Sequence, residues 1–263
     1  MTRLLEGKVA IVSGIGPGMG RDISLQMAEH GAKVVAGART MANVDAVTDE
    51  VKAAGGKALG VQLDITDNAA CEAAVAAALE RFGRVDILVN NAFSDGDHRS
   101  FTSADLDNWR STMDTNFFGT LQLTRAVVPA MKEQGEGRIV MVNSMSAVRI
   151  EPRFGAYAAS KAALAAATKT LAVELGQFGI RVNAVHPGYI WSDKQKMWFE
   201  YLAQRNGITY EEQFDAIAGS APLRYLPDSS EIAGAVIFFA SDLAKPITGQ
   251  ALHVNAGHWL GGF

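Results

Sequence analysis

The chain has 263 residues, 48% of them hydrophobic and 20% charged, proportions ordinary for one large globular domain that buries its core without staples. Its formal charge is 24 − 28 = −4 with no basic run, which excludes the clustered Lys/Arg that a nucleic-acid backbone demands. A single cysteine, Cys71, excludes an internal disulfide and fits a reducing compartment; with no signal-peptide pattern and no apolar run of about 18 residues, the expectation is a cytoplasmic protein without a membrane segment.

Taken in chain order, strand patterns fall at 8–14 (KVAIVSG), 33–38 (KVVAGA), 58–64 (ALGVQLD), 85–92 (VDILVNNA), 137–144 (GRIVMVNS), 181–188 (RVNAVHPG) and 251–255 (ALHVN). Helical patterns lie between them near 18–30, 41–54, 68–82, 103–132, 156–178 and 229–241. The strand runs are nearly continuous in Val, Ile, Leu and Ala, as in parallel strands covered on both faces. Strand–helix alternation predicts βαβ units and an α/β fold: one Rossmann-type domain over 1–263, a doubly wound parallel sheet of about seven strands with helices on both faces. The segment 189–228 breaks the rhythm. Its Trp191, Met197, Trp198, Phe199 and Tyr201 read either as a lid over an apolar substrate or as a pair of surface helices packed by those aromatics.

The first strand runs into SGIGPGMG, where Gly14, Gly18 and Gly20 allow a tight turn and let backbone N–H groups approach a pyrophosphate at the start of the next helix. The spacing is G-x-x-x-G-x-G rather than the commoner G-x-G-x-x-G. At the end of the second strand an NAD site calls for an acid to accept from the ribose 2′-OH. Here Ala38 fills that place and Arg39 follows, a guanidinium suited to a 2′-phosphate, so NADP is favoured with NAD as the alternative. Asp64, ending the third strand, suits an adenine amino group or a helix N-cap, a role Asp67 could also fill.

Tyr157 and Lys161 sit four residues apart in GAYAASKAALAAATKTLAVEL, hence on one helix face. An ammonium beside a phenol is expected to lower the tyrosine pKa, fitting it to exchange a proton with a carbonyl or alcohol oxygen. Ser144 ends a strand at the sheet edge where ligands bind, and its hydroxyl could hold the substrate oxygen. Asn116 is a polar residue inside an apolar helical pattern, which by itself reads as a satisfied core amide. His30, His98, His186, His253 and His258 are scattered and Cys71 is alone, so no metal site is expected; no G-x-S-x-G elbow points to a hydrolase.

Together SGIGPGMG, LDITD, NNA at 90–92, Asn116, Ser144, YAASK at 157–161, HPG at 186–188 and ITGQALHVNAG resemble the short-chain dehydrogenase/reductase family over essentially the whole chain. The resemblance implies a tetrad of Asn116, Ser144, Tyr157 and Lys161. Tyr157 is then the acid/base and Ser144 positions the reacting oxygen. Lys161 tunes Tyr157 and binds the nicotinamide ribose, and Asn116 holds a water in a proton relay. It further implies cofactor contacts from Met19, Ile65, Asn90, Ala92, Pro187, Gly188, the backbone of Ile190 and Ser192. The implied reaction is direct hydride transfer between nicotinamide and a secondary alcohol or ketone. A catalytically silent dinucleotide-binding sensor or scaffold is the alternative.

One departure from the family pattern is NNAF for N-N-A-G: Phe93 replaces a glycine and could narrow the cofactor–substrate cleft or wall the substrate pocket. Phe93, Met145, Phe154, Tyr189, Trp191 and Trp198 are expected to enclose a largely apolar small-molecule substrate. Arg149 or Arg153 could instead meet an anion, or stand in solvent. The resemblance also implies a homotetramer, formed through the 156–175 helix, its neighbour and the C-terminal strand, with the GHWLGGF end suited to one interface.

Overall fold

The structure, a computed structural model, describes residues 3–261; Gly262 and Phe263 of the GHWLGGF end lie outside the described residues. All seven expected strands form: β1 (Val9–Ser13), β2 (Lys33–Ala38), β3 (Lys57–Gln62), β4 (Ile87–Asn90), β5 (Gly137–Val142), β6 (Ile180–Pro187) and β7 (Ala251–Val254). They make one parallel sheet in the order β3-β2-β1-β4-β5-β6-β7. The order reverses between β1 and β4, and a doubly wound sheet opens its binding crevice at the carboxyl ends of such a pair.

Alternate strand residues feed two cores, which is why most strand positions are apolar. Val12, Val34, Val89 and Val185 meet Ile23 and Met27 of α1 (Met19–Glu29), Val44 and Val47 of α2 (Met41–Ala53) and Val236 and Ile237 of α9 (Ser229–Ala240). On the other face Ile11, Val35, Leu88 and Val182 meet α3 (Asn68–Phe82), α5 (Thr120–Gln134) and α6 (Gly155–Leu175) through Val75, Leu123, Val127 and Leu164.

Two stretches differ from the pattern read in sequence. The helix expected over 103–132 is α4 (Leu106–Met113), a π-helical turn (Asp114–Gly119) and α5. Its start is set by Asp105, whose carboxylate accepts from the Asp107 N–H. The 189–228 segment contains two helices, α7 (Asp193–Asn206) and α8 (Tyr210–Ala218). Phe199, fully buried, joins them over Trp191, Tyr210 and Phe214 in a small third core. No described helix is long and apolar enough to cross a membrane.

Candidate active site

The glycine-rich turn is shaped by close approach. Gly14 takes φ +76°, and a Cβ there would lie 2.5 Å from the backbone N and Cα of Ala92 after β4. A Cβ on Gly20 would lie 2.5 Å from the Gly14 carbonyl. Gly16 and Gly18 instead face open space, so the outer edge of the turn is bare backbone. Gly18 precedes α1 with no side-chain cap, leaving the helix start open to an anion. This cradle fits a dinucleotide pyrophosphate. Met19 begins α1 and packs, half-buried, against the core. Asn91 was not singled out in sequence, yet its amide fastens the turn by donating to the Gly14 carbonyl at 2.8 Å. The doublet in NNA was the available signal.

Farther along the crevice, Arg39 follows β2 and is exposed. Asp64 accepts from the Thr66 N–H (2.9 Å) and hydroxyl (2.7 Å). Burial alone would raise its carboxyl pKa; the Thr66 bonds and the Arg39 charge outweigh that and hold it below the usual range. Asp67, not Asp64, caps α3 by accepting from the Ala69 N–H. Ile65 is buried under the π-helical turn, against Gly119. Asn90 is buried and donates to Thr124 Oγ1 at 3.0 Å, so its side chain turns towards α5.

At the end of β5 Ser144 begins a short turn, its Oγ accepting from the Ser146 N–H at 3.1 Å. Tyr157 and Lys161 lie on successive turns of α6. The Lys161 Nζ is buried, donates to the Val142 carbonyl at 2.9 Å and lies 5.6 Å from the Tyr157 ring centre. Tyr157 keeps part of its ring open to a cavity, but its phenol is desolvated. The expectation that lysine lowers the tyrosine pKa is corrected here. Burial pushes Tyr157 up to about 12, a hydrogen bond with Ser144 offsetting part of this and the Asp95 charge adding to it. Burial brings Lys161 down to about 7. Loss of water is the largest effect on both groups.

Asn116 lies in the π-helical turn, fully buried. Its Oδ1 accepts from the Ser94 N–H (2.6 Å), and its Nδ2 donates to the Ser94 carbonyl (2.8 Å) and to Ser160 Oγ (2.9 Å). The amide is thus a clamp on the loop after β4, and π-turns recur at such functional positions. His186, beside His253 with ring centres 5.1 Å apart, is buried and pushed down to about 4, hence neutral.

These elements enclose a cavity of about 460 Å³. Ser144 and Tyr157 line it, with Phe93, Met145, Phe154, Tyr189 and Trp198 of the expected substrate wall. Gly188, Ile190 and Ser192 also line it, whereas Pro187 is the last residue of β6. Ser192 caps α7 by accepting from the Gln195 N–H at 3.2 Å. Trp191 is not on the wall: its ring packs edge-on against Phe214 at 5.2 Å inside the α7–α8 core. Arg149 and Arg153 do not line the cavity either. Glu151 does, with both carboxylate oxygens accepting from the Tyr189 hydroxyl at 3.0 and 3.1 Å. Among the described residues, no group of three or more His, Cys, Asp or Glu is placed to hold a metal ion.

A family model described as enoyl-(acyl carrier protein) reductase matches residues 14–258. The chain is 36% identical to 3-oxoacyl-[acyl-carrier-protein] reductase FabG of Escherichia coli K12 over 255 residues, covering 97% of this chain and 98% of that one. The chain belongs to the short-chain dehydrogenase/reductase family. Solved members share its fold. A variant of actinorhodin polyketide ketoreductase with NADPH gives a TM-score of 0.89 at 32% identity, covering 98% of this chain and 99% of that one. NAD+-bound xylitol dehydrogenase gives 0.88 at 29% identity, covering 95% and 98%. As a short-chain dehydrogenase/reductase, the protein is a nicotinamide-dependent oxidoreductase of alcohols and ketones.

Proposed function

We propose that the enzyme uses NADP(H) to interconvert a largely apolar ketone and its secondary alcohol, with Tyr157 exchanging the proton. One observation carries this reading: Ser144 and Tyr157 line the same mostly apolar cavity, with the Lys161 amine buried one turn farther along α6. The bound dinucleotide supplies or takes the hydride. The rest falls to the chain. Ser144 and Tyr157 donate hydrogen bonds to the ketone oxygen, and the Tyr157 proton passes to it as the carbon is reduced. Lys161, on the next turn of α6, is placed to return charge and proton to the phenol oxygen. Asn116 keeps the loop after β4 in place. The 189–228 segment acts as a lid that contributes Trp198 and Gln195 to the substrate wall.

NADP is favoured because Arg39 stands exposed after Ala38, where no carboxylate competes for a 2′-phosphate. The NADPH-bound ketoreductase points the same way; the NAD+-bound xylitol dehydrogenase marks the alternative. Assays of apolar ketones and secondary alcohols with each dinucleotide test the reading. NADPH oxidation by ketones, at least about tenfold faster than NADH oxidation at equal subsaturating concentration, is the expected result. Arg39→Asp should reverse the preference, by lost pairing and new repulsion at the 2′-phosphate. An unchanged NADPH/NADH ratio of kcat/KM removes Arg39 from that role.

We also place the enzyme in the cytoplasm as a homotetramer. Support comes from exposed apolar side chains, Phe118 before α5, Val173 on α6 and Leu252 on β7, on the elements expected to pair. Sedimentation at micromolar concentration checks the assembly.

A further inference from the structure

Phe93 is the departure from the family pattern that the chemistry above leaves unused. Its backbone is fixed on both sides. Gly14 admits Ala92 so closely that no side chain fits between them, and Ser94 is held through both its N–H and its carbonyl by Asn116. Only the ring itself can move. That ring is 53% exposed, so core packing does not account for it. It lines the cavity, stands edge-on to Tyr157 with ring centres 6.3 Å apart, and lies 5.9 Å from the Lys161 Nζ. A phenyl group on so fixed a backbone takes up room at the Tyr157 end of the cavity. The rest of the apolar wall, Phe154, Tyr189 and Trp198, comes from elements later in the chain.

We propose that Phe93 is a specificity-determining residue, limiting the ketone substituent on the Tyr157–Lys161 side to about the size of a methyl group. The enzyme then takes ketones with one small and one large apolar arm, the large arm lying along Phe154, Tyr189 and Trp198. The proposal rests on the reading of Ser144 and Tyr157 as the groups that hold the ketone oxygen. Glycine at this position leaves the same place open; leucine fills it partly.

The test uses three ketones with one common aryl arm and a methyl, ethyl or isopropyl second substituent, at saturating NADPH. Because each extra carbon against an apolar wall is worth about 10-fold, and isopropyl carries two more carbons than methyl, kcat/KM for the wild type should favour methyl over isopropyl by about 100-fold. Phe93→Ala should bring that ratio below about threefold, with Phe93→Leu in between. The same order should appear in binding, read by tryptophan fluorescence quenching in the Tyr157→Phe background, where no turnover is needed. Two results overturn the proposal. In one, both variants change all three ketones by a common factor. In the other, the ratio stands while NADPH affinity falls, assigning the ring to the dinucleotide cleft. Size selection in binding without any wild-type turnover keeps the role of Phe93 and sinks the reductase chemistry instead. Turnover without size selection does the reverse.

Discussion

Tyr157→Phe should lower kcat by about 10³-fold while leaving NADPH affinity within about twofold, since a positioned general acid contributes 10²–10⁴-fold. The substitution removes one oxygen and little else. The ring keeps its place in α6, its edge contact with Phe93 and its share of the cavity wall. Lys161 keeps its bond to the Val142 carbonyl. What disappears is the hydroxyl that, on the proposed mechanism, would hold the ketone oxygen together with Ser144. The direction of the pKa adds a second expectation. With the phenol pushed up to about 12, Tyr157 stays protonated at neutral pH and is ready to act as an acid. Ketone reduction should therefore hold its rate from pH 6 to neutrality. Alcohol oxidation, which needs the phenolate as base, should accelerate as pH rises. Steady-state rates in both directions over this range check it. A Tyr157→Phe enzyme within tenfold of wild type, or with the wild-type rise in oxidation rate, takes the proton away from this residue.

Legibility in the sequence followed the range of the forces involved. The parallel sheet could be read because strands covered on both faces are apolar at nearly every position, as in the VAIV of β1 and the ILV of β4. The fourth strand ends at Asn90 rather than 92 because the chain there turns against the glycine loop, Asn91 donating to the Gly14 carbonyl and Ala92 lying against Gly14. The i, i+4 placement of Tyr157 and Lys161 is local geometry and needs no tertiary information. Their pKa values do need it, because burial depends on what the rest of the chain lays over them. The π-helical turn was hidden for the same reason. Nothing in DTNFFG breaks a helix; the turn is fixed by Asn116 reaching Ser94 and Ser160 and by Gly119 closing on Ile65. Among the aromatics of 191–201, helical geometry separates neighbours that look equivalent in a string. Trp198 and Phe199 are about 100° apart on α7, so one reaches the cavity and the other the small core beneath.

Lys161→Met should abolish most turnover and, below neutral pH, make the protein more stable. The Lys161 amine is buried with a hydrogen bond to the Val142 carbonyl, and burial draws its pKa from 10.5 down to about 7. The sign follows from proton counting. Below pH 7 the lysine is charged in both folded and unfolded chains, and the full cost of burying the charge is present. Between pH 7 and 10.5 the unfolded chain still holds the proton that the folded chain has lost, so stability rises with pH, by on the order of 4 kcal/mol over the whole window. Methionine has similar length and no charge to desolvate. It forfeits the bond to Val142, which costs about 1 kcal/mol. At pH 6 the variant should therefore melt about 5–10 °C above the wild type. The gap should narrow steadily as pH approaches 9.5. Tyr157 titrates the other way, holding its proton in the folded state from pH 10 to about 12, so measurements stay below pH 10 to keep the two apart. A variant no more stable than the wild type at pH 6, or a gap that ignores pH, means that the amine is solvated. A stabilising change that destroys activity would instead show that the buried cation is retained for its position one turn behind the reacting phenol, at the expense of the fold.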